Sequence, residues 1–289
     1  MRNRKSKLQR RETKTAWLFL LPSLVGISIF ILVPFLDAVR RSFFKAMGEG
    51  FVGLDNYSTV LGNEAFLLAA ENTGRFILTC LPLLLVISLL LSVMVVGQKR
   101  YGDFFKVSFL IPMAIPVASV AFLWQIMFQN SGLLNHLITK LGGQPVDWMN
   151  SNYAFIVLVI SYLWKNTGYD CVLWLSGLSS IPNSLYEAAA IDGAGVIAKF
   201  RYITLPGLIP TLFITAVLSL VNSFKVFREA YLIAGSYPHS SIYMLQHLFN
   251  NWFISLDVQK MCAAAVMLAA VFVVFVLMIY GLGKRGVEE

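Results

Sequence analysis

Phe76-Ile-Leu-Thr-Cys-Leu-Pro-Leu-Leu-Leu-Val-Ile-Ser-Leu-Leu-Leu-Ser-Val-Met-Val-Val-Gly97 runs for 22 residues without a charge. A helix of roughly 20 apolar residues, rising about 1.5 Å per residue, crosses the hydrocarbon core of a bilayer. Working outward, uncharged runs of similar length occur at Trp17–Leu36, Val107–Phe128, Tyr202–Phe224 and Met261–Gly283. A sixth, Tyr153–Leu175, is interrupted only by Lys165 and Asp170. The whole chain fits this reading, being 57% hydrophobic and only 13% charged, where a soluble domain carries about a quarter of its residues charged. The expected fold class is therefore all-α and polytopic. About six membrane helices are expected, at 17–36, 76–97, 107–128, 153–175, 205–224 and 261–283, between a basic tail at 1–16 and a short tail at 284–289. The first run is too long for a signal-peptide core and no small-residue cleavage site follows it, so it is expected to be retained as a helix.

Charge orients these spans. A net charge of +8 alone would suit a nucleic-acid partner, but its distribution suits a membrane. With the N-terminus inside, Arg2, Arg4, Lys5, Lys7, Arg10, Arg11 and Lys14 join Lys99, Arg100, Lys106, Lys199, Arg201, Lys284 and Arg285 on one side. The segments expected outside, Asp37–Arg75 and Asn222–Lys260, together with Lys140 and Asp147, balance to zero. The aromatic residues of Asn222–Lys260 suit interfacial anchoring, or alternatively a vestibule or docking surface. The N-terminal tail is also suited to contact with anionic lipid.

Catalytic hardware is missing from the sequence. Cys80, Cys171 and Cys262 each lie in an apolar run with no C-x-x-C pair, and His136, His239 and His247 lack metal-ligand spacing. There is no Walker A motif, no G-x-S-x-G and no H-E-x-x-H. Neither an enzyme nor a bound cofactor is expected.

The segment between the fourth and fifth expected spans carries the most information. It reads Ile181-Pro-Asn-Ser-Leu-Tyr-Glu187-Ala-Ala-Ala-Ile-Asp-Gly193-Ala-Gly, and then Phe200-Arg-Tyr-Ile203-Thr-Leu-Pro206. Pro182 ends the incoming helix, and Ser184 with Glu187 has capping-box spacing. The alanines favour a short helix, and Asp192-Gly193 turns it. A second short stretch, about 196–202, precedes Pro206. The expected product is a short helix–turn–helix on the cytoplasmic face, presenting a compact knob to a soluble partner.

Glu187-Ala188-Ala189, Gly193 and Ile203-Thr204-Leu205-Pro206 have the residues and spacing of an E-A-A, three residues, G, nine residues, I-x-L-P pattern. This resembles the EAA loop of permease subunits of binding-protein-dependent ABC importers, the carbohydrate-uptake branch in particular. Leu20-Leu21-Pro22-Ser23, Pro34, Val52–Tyr57 and Asn72-Thr73 extend the resemblance to the first of two dissimilar subunits, similar to lactose, glycerol-phosphate and multiple-sugar permeases. Ala234-Gly235-Ser236-Tyr237-Pro238 departs from the G-G-P…T pattern of many relatives, so no particular sugar carries over. The resemblance implies a second permease subunit, two copies of a cytoplasmic ATPase that binds the ATP, an extracellular sugar-binding protein and a sugar or oligosaccharide substrate. It implies a bacterial inner-membrane location with both termini cytoplasmic, and no nucleic acid. Glu187, Ala188, Ala189, Asp192, Gly193, Ile203, Leu205 and Pro206 are the expected ATPase-coupling residues. Lys165, Tyr169, Asp170 and Asn222 are the candidates for the translocation path. Two alternatives stay open: an ABC permease for a non-sugar solute, and an ion-coupled secondary transporter using Lys165 and Asp170, although no inverted repeat is visible.

Overall fold

The computed structural model describes residues 2–45, 50–96 and 102–288. Lys99 and Arg100 of the expected inner charge, and Glu49 of the outer segment, lie outside them. Apart from one isolated bridge between Phe44 and Phe51, the described residues form helices joined by turns. The chain divides into two compact units, residues 1–62 with 252–271, and residues 63–251 with 272–289. Among the described residues, five helical stretches are long and apolar enough to cross a membrane: Thr13–Ser42, Glu64–Val96, Val117–Lys140, Ile209–Ala234 and Val258–Met278.

In the first unit, the helix Arg2–Ile27 passes through a widened turn at Ser28–Leu32 into Val33–Ser42. Pro34 has no N–H for the i−4 carbonyl, and the widened turn accommodates it without a break. The helix outlasts the expected end at Leu36 because Asp37 pairs with Arg41 at 2.6 Å and Arg40 at 3.4 Å, one turn on. The loop beyond it is tied down by Asn56, whose Nδ2 donates to the carbonyls of Ser42 (2.9 Å) and Phe44 (3.0 Å).

The second unit is built around Tyr153–Ser180, a 28-residue helix with 13 buried residues. Its length suffices for a span, but it is more polar than the five stretches above, and its burial explains why. Polar side chains here face other helices rather than lipid. Against it lies Glu64–Val96, which starts 12 residues before the expected Phe76. Asn63 caps it by accepting from the Phe66 amide at 2.9 Å. Small hydroxyl residues let the two backbones approach: Trp174 Nε1 donates to Ser88 Oγ (2.9 Å) and Ser92 Oγ to the Cys171 carbonyl (3.2 Å). Asn72 and Thr73, placed by sequence before the second span, are buried inside this helix and clasp the turn at 240–245. Asn72 Nδ2 donates to the carbonyls of Ser240 and Tyr243, and the Leu245 amide donates to Thr73 Oγ1.

Two expectations are corrected. The run Val107–Phe128 is two helices, Gly102–Ala114 and Val117–Phe128, interrupted at Ile115-Pro116. Pro116 cannot donate to the helical ladder, and it steers Ile115 away from the helical region. The segment Asn222–Lys260 is not an outer loop from its start: the helix Ile209–Ser223 continues through a tight turn at Phe224–Val226 into Phe227–Ala234. Several of its aromatic rings pack inward, Tyr243 and Trp252 being buried, while Tyr237 and Phe253 stay exposed.

Candidate functional site

The break at Ile115-Pro116 opens one wall of a cavity of about 330 Å³. Non-helical backbone is tolerated at membrane depth only where it lines a cavity or is covered by protein, so the interruption and the cavity belong together. The central helix supplies Ser161, Tyr162, Lys165 and Asn166 to the opposite wall, and the continued helix supplies Asn222, Lys225, Arg228 and Glu229. Lys165 Nζ sits 2.5 Å from Glu229 Oε1, with both side chains largely buried. The sequence reading missed this partner, because Glu229 was assigned to an outer loop and only tertiary contact reveals the pairing.

Of the four candidate path residues, the cavity brings together Lys165 and Asn222 and leaves out Tyr169 and Asp170. Asp170 is buried, and Ser219 Oγ donates to both its carboxylate oxygens (2.8 and 2.7 Å), lashing the central helix to Ile209–Ser223. It therefore stands outside this cavity's lining. Tyr169 is half-buried on the same helix.

Lys165→Met alone is expected to reduce the amount of assembled protein, because it leaves a buried, unpaired carboxylate at a cost of about 3–5 kcal/mol. Lys165→Met with Glu229→Leu removes both charges and should restore assembly but not transport. Membrane immunoblots beside uptake assays check both; wild-type uptake in the double variant would place the path elsewhere.

The second site is the segment that follows Ser180. Its helix spans Asn183–Ile191, and Pro182 occupies the N-cap position with no side-chain cap, so the expected Ser184–Glu187 capping box does not form. At the other end, Ala194 N–H donates to the Ala189 carbonyl (2.8 Å) and Gly193 N–H to Ala190 (3.2 Å). With Gly193 at φ +76°, this is a Schellman stop. A side chain at Gly193 would meet no atom within 4 Å, so glycine is required there by backbone conformation and not by crowding. Val196–Lys199 then runs through a widened turn, Phe200–Thr204, straight into Leu205–Gly207. The segment is anchored from behind. Tyr186 Oη and Thr204 Oγ1 lie 2.9 Å apart, and Ile203 packs on the cluster of Trp174, Ile181 and Leu208. Ile203 therefore faces the helices behind the segment.

Glu187, Ala188, Asp192, Leu205 and Pro206 are exposed, and Ala189 is half-buried. Beside them the segment presents Ile191 (87% exposed), Val196 (85%), Ile197 (83%) and Tyr202 (73%). Sequence reasoning did not single out these four; apolar residues inside an otherwise charged connection were the available signal.

Membrane-length helices, a polar cavity between helices and an exposed apolar-faced segment are together the make-up of a transport subunit. Residues 85–285 match the family described as the binding-protein-dependent transport system inner membrane component, and the chain belongs to that family. It is 33% identical over 257 residues to the trehalose/maltose transport system permease protein MalF of Thermococcus litoralis, covering 87% of each chain. To the lactose transport system permease protein LacF of Rhizobium radiobacter it is 28% identical, covering 86% of this chain and 87% of the relative. A crystallised bacterial ABC transporter for import of the acidic polysaccharide alginate contains a chain of the same fold, with TM-score 0.84 and 23% identity over 98% of this chain and 99% of that one. EAA motifs of the kind found at Glu187–Gly193 are typical of the family.

Proposed function

We propose that this chain is one permease subunit of an ABC sugar importer, forming half of the translocation pathway beside a second, dissimilar permease. Family membership together with relatives named for maltose, trehalose and lactose transport supports the sugar assignment. The observation that carries the coupling role is the Schellman-terminated helix Asn183–Ile191 with its unburied apolar flank. A single-chain membrane protein gains nothing by presenting four large apolar side chains to water, whereas a cleft in a cytoplasmic ATPase would cover them. Two ATPase copies would bind and hydrolyse the ATP, and this chain would hold no cofactor. An extracellular binding protein would deliver the solute. A related structural neighbour was crystallised in complex with an alginate pentasaccharide-bound periplasmic protein.

The solute would pass the cavity at Lys165, Asn166 and Asn222. Its polar lining suits hydroxyl groups, the amides of Asn166 and Asn222 being able both to donate and to accept. Both termini and the Glu187 segment would lie in the bacterial cytoplasm, with Asp55–Leu61 outside.

Single-cysteine labelling tests this orientation in a background lacking Cys80, Cys171 and Cys262. An impermeant reagent added to intact cells should modify Leu61→Cys and spare Ile191→Cys until the membrane is opened. The opposite pattern would remove the coupling segment from the ATPase side and sink the proposal.

A further inference from the structure

The ionisable groups lining the Lys165 cavity are one-sided. They are Lys165, Lys225, Arg228 and Glu229. Glu229 is committed to Lys165 at 2.5 Å. Lys225 Nζ donates to the neutral amide oxygen of Asn222 at 2.7 Å, which leaves its charge uncompensated. Arg228 pairs with no carboxylate among the described residues. The wall at 113–117 carries no charge, and Asp170, the other acid on the central helix, is turned to Ser219 and outside the lining. The cavity thus holds two more positive than negative groups.

Lys225 and Arg228 line the cavity with exposed side chains, and a cleft walled by an excess of one sign focuses its field on an entering solute of the opposite sign. A neutral solute would gain nothing from that field. An arginine also offers the planar fork that fits a carboxylate or phosphate through two parallel hydrogen bonds.

We propose that the solute handled by this cavity is an anionic carbohydrate, with its acid group on Arg228 and Lys225 and its hydroxyls on Asn166 and Asn222. This rests on the reading of the cavity as the sugar path. The acid group is a carboxylate, sulfonate or phosphate ester, and the probes separate these sources.

The test uses the complete complex in nanodiscs, without the binding protein, so that the latter's own selectivity does not enter. Digalacturonate is compared with galactobiose, and glucose 6-phosphate and glucose 6-sulfonate with glucose, by equilibrium binding at two ionic strengths. At least one acidic probe should bind about tenfold or more tightly than its neutral counterpart, the worth of one charge-assisted hydrogen bond. Added salt should narrow the gap, and Arg228→Gln with Lys225→Gln should close it to about twofold. If no acidic probe outbinds its neutral counterpart, the proposal is wrong; neutral sugars binding with loss on Asn222→Ala would still leave the path reading standing. If an acidic preference persists in the double variant, the acid is read elsewhere and the proposal is equally overturned. Unchanged uptake in Asn222→Ala and in the Lys165–Glu229 double variant would remove the path reading itself.

Discussion

Gly168→Ala is expected to abolish assembly of the permease. A Cβ at Gly168 would lie 1.7 Å from the carbonyl oxygen of Phe109 and 2.4 Å from its carbon. The obstacle is the backbone of the neighbouring helix Gly102–Ala114, which cannot swing aside as a side chain can. Overpacking a core generally costs about 1–3 kcal/mol, and a clash with backbone belongs at or above the top of that range, because two helices must separate. Gly177→Ala supplies a graded comparison: its Cβ would meet Thr211 at Oγ1 (2.3 Å), Cγ2 (2.7 Å) and Cβ (2.8 Å), a smaller overlap than that with Phe109 but one that turning the side chain does not remove. Gly74→Ala is the control, since nothing lies within 4 Å of its added Cβ and alanine favours the helix. Yield of monodisperse protein after detergent extraction should fall in the order Gly74→Ala, Gly177→Ala, Gly168→Ala. Wild-type yield for Gly168→Ala would mean that the two helices do not cross there.

Glu187→Lys and Gly193→Asp are expected to uncouple transport while leaving the protein in the membrane. Neither residue is buried, and no atom of this chain crowds Gly193, so folding loses little beyond the cost of a left-handed non-glycine residue, about 1–2 kcal/mol. What would change is the face offered to the proposed ATPase partner. Glu187 would supply a carboxylate for a basic group there, a charge-assisted bond worth about 1.5–3 kcal/mol, so its reversal should lower uptake about tenfold or more. Asp at 193 projects a charge beside Ile191, where an apolar cleft would have to accept it. Uptake and co-purification of the ATPase with the membrane complex are the two readouts. Normal uptake with normal ATPase retention in both variants would refute the coupling role of the segment.

The membrane character and the EAA motif were legible because each is local. An uncharged run of 22 residues or an E-A-A…G spacing is written in consecutive positions. Boundaries read less well: Glu64–Val96 carries Glu64, Glu71 and Arg75 in its first turns, and a search for uncharged runs starts only after them. The break at Pro116 was not read, because hydropathy runs through it and Pro82 and Pro112 sit inside continuous helices, so a proline alone does not mark where a helix stops. The pairings Lys165–Glu229 and Asp170–Ser219 were not legible, because they join residues 64 and 49 positions apart on different helices. Lys165 and Asp170, five residues apart, do not share a helix face, and in the fold each is satisfied by a residue of another helix.

Pro116 has a consequence for what can fill the cavity. Having no N–H, it deprives the Pro112 carbonyl of the donor that an unbroken helix would supply. Pro112 itself is outside the cavity lining, but residues 113–117 line it, and where the ladder stops a backbone wall keeps its polar groups whatever side chains it carries. A hydroxylated solute would find partners on such a wall, and an apolar solute of the same size would not.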